Sequence, residues 1–171
     1  RRPEFEMDDR MLLHHIDLKR GVVHIDGKDY TLKDTNWPTL DPKDPYRLSI
    51  EEEDLIRKIL HSFESSEKMK KHMRCFFRHG GMYQVCNSNL LFHASIPMNP
   101  DGTFKSVRIL GQDYKGRALL DRVDQLIRTA YFKTGEQEEV EYAHDYIWYL
   151  WGGKDSPLFL SLIHISEPTR L

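Results

Sequence analysis

The residue with the clearest capacity for chemistry is His93, which follows the apolar run 90–92 and precedes Pro97. A short apolar run is typical of a buried central strand, and a histidine at its end points beyond the carboxyl edge, where ligand sites of open α/β sheets gather. Imidazole is also a common ligand of divalent transition metals. A hydrogen-bonded structural histidine explains the same pattern, and the pattern alone favours that simpler interpretation.

A basic cluster lies between residues 68 and 79 and includes two phenylalanines, Phe76 and Phe77. Basic side chains interleaved with aromatic rings can bind single-stranded RNA. Helical spacing instead places the rings inside and the charges outside, so a solvated helix face is the favoured interpretation. The acidic stretch 136–141 is interpreted in the same way. The basic cluster consists of Lys68, Lys70, Lys71, His72, Arg74, Arg78 and His79.

No other group of residues makes a self-contained site. Cys75 and Cys86 are not spaced as a Cys-x-x-Cys pair, and His14 and His15 are adjacent, so they cannot share a helix face as zinc ligands do. The sequence contains no nucleophile elbow, phosphate-binding loop or dinucleotide-binding fingerprint. The residues alone therefore indicate one mixed domain with a single candidate histidine.

Composition restricts the class of protein. The 171 residues suffice for one domain, and 25 basic residues against 27 acidic ones argue against a nucleic-acid coat or a polybasic membrane anchor. No apolar run approaches the ~18–20 residues of a membrane span. Two cysteines are too few for a disulfide scaffold and favour a reducing compartment. We expect a cytoplasmic protein with neither nucleic acid nor membrane as a partner.

Hydrophobic periodicity predicts the elements that must position His93. Helices are expected over residues 7–16, 49–63, 69–79, 119–130 and 143–150, and strands over 21–25, 30–32, 82–86 and 90–95. The apolar residues at 56, 59, 60 and 63 are expected to face a core. The polar interruption at 64–67 leaves one bent helix and two short helices equally compatible with the pattern.

Turn and cap residues predict where these elements begin and end. Asp26-Gly27 indicates a two-residue hairpin turn, residues 87–89 join two strands, and Asp101-Gly102 marks a further turn. Ser49 and Glu52 have the spacing of a capping box. Gly80-Gly81 is expected to cap the preceding helix.

Five stretches resemble the bacterial class III fructose-1,6-bisphosphatases in order and spacing. They are residues 1–7, 66–68, 89–97, 114–121 and 148–159, so the resemblance runs through residues 1–159. It implies a manganese-dependent enzyme similar to the calcineurin-like metallophosphoesterases, whose fold is an α/β/β/α sandwich that holds two metals. This chain would then be an α+β piece of that fold, with several helices and short hairpins.

The resemblance implies a role for His93. The superfamily draws its metal ligands from several motifs, and only the lone strand-end histidine has a counterpart in this sequence, which makes His93 a metal ligand. Ala94 and Ser95 depart from the glycine of many relatives, but both are small. The other ligands and the catalytic residues are expected outside this sequence, upstream of Arg1 and downstream of Phe159.

Two cations at a helix start are candidates for substrate binding. Lys115 and Arg117 open the helix that precedes Asp121, where free backbone amides and positive charge suit an anion. In this family such a site would hold a substrate phosphate or an effector. Ordinary exposed charges at a helix start are the alternative, and the pattern favours them.

The resemblance also divides the chain and suggests its function. Residues 1–81 would be a segment of helices and a hairpin, residues 82–159 a partial metallophosphoesterase core, and residues 160–171 a non-native tail that resembles a translated sequencing adapter. We expect a fragment, inactive alone, of an enzyme that hydrolyses fructose 1,6-bisphosphate in gluconeogenesis by two-metal-assisted attack of water. The sequence leaves open a homo-oligomer, a related phosphoesterase with another substrate, and a non-catalytic interaction module.

Overall fold

The computed structural model of the chain describes residues 2–5, 7–93 and 95–159. The chain is α+β and forms two compact units, one of residues 8–72 and the other of residues 1–7 together with the chain from residue 73 onwards. The predicted foreign tail, 160–171, lies outside the described residues. Within the described ranges, no helix is both long and apolar enough to cross a bilayer.

The regular elements are four α-helices, seven short strands and three 3₁₀ turns within the described part of the chain. The helices are α1 (Ile50–Ser65), α2 (Glu67–His79), α3 (Gly116–Phe132) and α4 (Gln137–Leu150). The strands are β1 (Ile16–Asp17), β2 (Val22–Ile25), β3 (Lys28–Thr31), β4 (Tyr83–Cys86), β5 (Asn89–Phe92), β6 (Val107–Ile109) and β7 (Gln112–Tyr114). The 3₁₀ turns are Pro3–Phe5, Asp8–Arg10 and Leu12–His15.

The unit of residues 8–72 contains the antiparallel sheet β1-β2-β3. The predicted hairpin turn is confirmed, because Asp26 and Gly27 both adopt positive φ, 49° and 75°, as a type I′ turn requires. The predicted helix over residues 7–16 is wrong. Two 3₁₀ turns replace it, and Ile16 pairs with Val23 of β2, so strand pairing overrides the local helical spacing.

The capping box at the start of α1 is confirmed. The backbone N–H of Glu52 donates to Ser49 Oγ at 3.2 Å, and the N–H of Ser49 donates to the Glu52 carboxylate at 2.7 Å. The second of these hydrogen bonds holds the pKa of Glu52 below its usual value. Ser66 leaves the helical conformation, so the open choice resolves to two helices rather than one bent helix.

The apolar face of α1 is exposed. Ile56, Ile59, Leu60 and Phe63 retain 45–57% of their accessible surface, so the expectation that they face a core is wrong for this chain. Helical spacing establishes that apolar side chains share one face of a helix, but it says nothing about whether a second surface lies against that face.

The core of the other unit lies between α3 and α4. The predicted helices are confirmed, with the apolar faces of both buried, and Ile109 of β6 is fully buried beside them. The buried positions of the two helices are Leu119, Leu120, Val123, Leu126, Ala130, Val140, Tyr142, Ala143, Tyr146 and Leu150.

A guanidinium group caps the end of α2. Arg128 of α3 donates to the carbonyl oxygen of Phe77 and, at 2.6 Å, to that of Gly80, and it also pairs with Asp124 at 2.8 Å. Gly80 lacks the positive φ of the expected glycine cap, so that part of the prediction is wrong. A glycine is still required there, because a Cβ would lie only 2.6 Å from the Phe76 carbonyl oxygen.

We predict that Arg128→Ala lowers the free energy of unfolding by about 1–3 kcal/mol, because it leaves carbonyls at the end of α2 without their charged donor. Arg117→Ala on the same helix is the control. Its side chain is 82% exposed and lies 3.6 Å from Asp121, so its loss should change stability by no more than about 0.5 kcal/mol. Urea unfolding of both variants measures the difference, and equal losses would contradict a capping role for Arg128.

Candidate functional site

The strand that precedes His93 belongs to a two-stranded hairpin. β4 and β5 pair antiparallel through a turn at Asn87 and Ser88, which both adopt positive φ. The predicted pair of strands is therefore confirmed. The expected buried central strand is not, because all four residues of β5 are exposed and β5 pairs only with β4 within the described chain. The apolar residues form the right strand, but no second sheet layer covers them.

His93 is exposed directly after the end of β5. Its imidazole makes no hydrogen bond to any of the described residues, so they do not show the structural histidine that the pattern alone favoured. Among those residues, no group of three or more His, Cys, Asp or Glu side chains could hold a metal ion. One exposed imidazole is thus what this part of the chain offers, and by itself it does not make a manganese site.

The chain that follows His93 is anchored to the loop after α4. The N–H of Ser95 donates to the Pro157 carbonyl at 3.3 Å, and Ser95 Oγ donates to the Ser156 carbonyl at 3.4 Å. Pro97 is buried, and its carbonyl accepts from the N–H of Lys105 at 3.0 Å. The segment that carries His93 is therefore fixed on its carboxyl side by backbone hydrogen bonds.

Ser156 organises the loop after α4. Only 1% of its surface is exposed, and its Oγ donates to the Leu150 carbonyl at 2.7 Å. The same oxygen accepts from the N–H of Leu158 at 3.2 Å. One buried hydroxyl thus caps the last carbonyl of α4 and closes the loop back on itself.

Gly153 allows this loop to turn tightly over α4. Its N–H donates to the Tyr149 carbonyl at 2.7 Å, and a Cβ at this position would overlap the Tyr149 ring. The Tyr149 hydroxyl accepts from the N–H of Asp155 at 3.2 Å. The loop therefore needs a residue without a side chain at this point.

A salt bridge joins the two segments that surround the anchored strand end. Lys105 Nζ lies 2.7 and 2.9 Å from the two carboxylate oxygens of Asp155, and the side chains are 34% and 26% exposed. The predicted turn at Asp101-Gly102 is confirmed just before Lys105, with Gly102 at φ 84°. The sequence gave no sign of this pair, because nothing in local spacing links residues 50 positions apart.

The N-terminal stretch packs on the same helix. Phe5 is 4% exposed, and its ring lies 5.2–5.7 Å from the rings of Tyr142, Tyr146 and Tyr149. Burial raises the pKa of Tyr146, whose hydroxyl has no hydrogen-bond partner among the described residues. Three of the stretches that carry the family resemblance, 1–7, 89–97 and 148–159, therefore meet around the end of α4.

Lys115 and Arg117 lie at the start of α3, as predicted. Lys115 is exposed and takes the N-cap position with an extended backbone. Arg117 lies 3.6 Å from Asp121 and 5.7 Å above the ring of Tyr83, whose hydroxyl donates to the same carboxylate. None of the described contacts joins these cations to His93. The structure thus gives Arg117 a carboxylate partner of its own.

Comparison with known proteins agrees with these observations. Residues 1–162 match the family described as Firmicute fructose-1,6-bisphosphatase. The chain belongs to this family. No solved structure matches the chain.

The family relatives are much longer than this chain. A fructose-1,6-bisphosphatase class 3 of Bacteroides fragilis is 62% identical over 159 residues, which is 93% of this chain and 24% of the relative. Those of Bacteroides thetaiotaomicron and Alkaliphilus metalliredigens are 60% and 50% identical over the same shares. The chain thus spans about a quarter of the length of the curated relatives it matches.

We predict that Ser156→Ala lowers the free energy of unfolding by about 1–3 kcal/mol, because it leaves the Leu150 carbonyl and the Leu158 N–H buried without a partner. Ser106→Ala, at an exposed position of the same unit, should change it by no more than about 0.5 kcal/mol. Urea unfolding monitored by tryptophan fluorescence measures both. If Ser156→Ala is as stable as the Ser106 variant, the hydroxyl does not hold this loop.

Proposed function

We propose that this chain is a segment of a fructose-1,6-bisphosphatase that hydrolyses fructose 1,6-bisphosphate to fructose 6-phosphate and phosphate, in the cytoplasm and as part of gluconeogenesis. The observation that carries the proposal is the 62% identity over 159 residues to an enzyme named for that activity. The structure adds that three matching stretches, far apart in the sequence, pack together around the end of α4. Such joint packing supports a common fold with these relatives.

In the longer enzymes we propose that β5 joins a larger sheet of the α/β/β/α metallophosphoesterase sandwich. Two features of the hairpin support this. The outer edge of β5 has no strand beside it in the described chain, and Leu90, Leu91 and Phe92 are 42–55% exposed. An open edge with apolar side chains is suited to pairing and to burial.

We further propose that His93 is one ligand of the manganese ions of such an enzyme. Its imidazole is exposed, makes no hydrogen bond to the described residues and follows a strand whose continuation is anchored by Ser95. An anchored segment holds a ligand in a fixed direction, as metal sites require. Because the described residues offer no three-ligand cluster, the remaining ligands must come from other parts of the longer enzyme.

Lys115 and Arg117 are proposed to bind a substrate phosphate. Both are exposed cations at the start of α3, where backbone N–H groups lack helical partners. Asp121 competes for Arg117, so Lys115 is the cation with more of its charge available to an anion.

The activity is tested by placing residues 1–159 in the Bacteroides fragilis relative, in exchange for the segment that they match. We predict manganese-dependent release of phosphate from fructose 1,6-bisphosphate by this chimera, and no release by the 171-residue chain alone. A malachite-green assay with a panel of phosphate esters measures both. A folded chimera that prefers another ester, or turnover by the chain alone, would contradict the proposal.

The role of His93 is tested in the same chimera. We predict that His93→Ala reduces activity at limiting manganese by at least 10–100-fold while the melting temperature stays close to that of the parent. His79→Ala, at an exposed position on α2, is the control and should keep parental activity. Manganese-titrated activity and thermal melts of both variants distinguish the outcomes. Near-parental activity of His93→Ala would show that this imidazole is not a ligand.

A further inference from the structure

The largest unexplained surface of residues 8–72 is the apolar face of α1. Leu55, Ile56, Ile59, Leu60 and Phe63 repeat at helical spacing along one side of the 16-residue helix, and each is 45–57% exposed. We call these five residues the α1 stripe. Its exposed apolar area is on the order of several hundred Å², the size at which a patch on a protein surface marks an interaction site.

The rest of α1 has its polar groups satisfied. Asp54 pairs with Lys58 at 2.6 Å and with Arg57 at 3.9 Å, and Glu52 accepts hydrogen bonds from Ser49 and Thr39. These charges lie beside the α1 stripe and offer no unpaired set of one sign. The surface that covers the α1 stripe is therefore apolar rather than oppositely charged.

The size of the α1 stripe argues against a second copy of this chain as its cover. A stable interface between two proteins buries roughly 800 Å² on each partner, and the α1 stripe alone offers less. The family relatives, in contrast, have about four times the length of this chain, since the matched segment is 24% of theirs. Polypeptide for a continuous apolar contact is therefore available within one chain of that length.

We propose that the α1 stripe is an internal docking surface, covered in the longer enzymes of this family by an apolar surface of the polypeptide outside the matched segment. The proposal depends on membership of the family and not on the activity or metal ligand proposed above. It therefore needs a test that does not measure catalysis.

The test is cysteine accessibility. In a background with Cys75 and Cys86 replaced by Ser, Ile59→Cys reports on the α1 stripe and Lys58→Cys, at a side chain that is 74% exposed, is the matched control one residue away. Each variant is made in the 171-residue chain and in the Bacteroides fragilis chimera, and maleimide labelling is followed by mass spectrometry. We expect similar rates for both cysteines in the chain alone, and at least tenfold slower labelling of Ile59→Cys in the chimera.

Each other outcome counts against the proposal. Equal labelling of the two cysteines in the chimera would mean that nothing covers the α1 stripe. Protection of Ile59→Cys in the chain alone that increases with protein concentration would identify a second copy as the cover. As a second measurement, Ile59→Asp should lower the melting temperature of the chimera while Lys58→Asp should not, and a chimera in which both melt alike would overturn the internal contact.

Discussion

The buried hydroxyl group of Ser156 is the interaction on which the candidate site depends. It accepts from the Leu158 N–H and donates to the last carbonyl of α4, while the carbonyl of the same residue accepts from Ser95. One residue therefore connects the end of a helix, the loop that follows it and the segment after His93. Because an unsatisfied buried polar group costs about as much as several weak contacts contribute, this arrangement permits little freedom in the loop.

The neighbouring groups depend on that loop conformation. Gly153 must lack a side chain because the Tyr149 ring lies against it, and the turn it permits brings Asp155 to Lys105. Since both members of the salt bridge are partly buried, each neutralises the other, and neither is a free charge for a ligand. The exposed imidazole of His93 is thus presented by a rigid segment whose nearby charges are already paired. Such a support suits a group whose role is to bind in one direction.

Local chemistry in the sequence predicted the local structure well. The turns at Asp26-Gly27 and Asp101-Gly102 and the capping box of Ser49 depend on residues within three positions of one another, and all are confirmed. Features that depend on distant residues were missed or wrong. Arg128, rather than a left-handed glycine, caps α2, and Lys105 pairs with a residue 50 positions away. No periodicity contains that information, because the fold alone decides which distant residues become neighbours.

The two wrong predictions of burial have a common physical cause. The residues of β5 and of the α1 stripe have the spacing of buried elements, and yet each element is exposed in its own unit. The spacing determines which side chains share a face, whereas burial requires a second apolar surface, which only further polypeptide can supply. The chain spans about a quarter of its relatives' length, so in those relatives most of the polypeptide lies outside the matched segment. The sequence of this segment therefore contains half of each contact: it specifies the apolar face, and the covering surface is specified elsewhere.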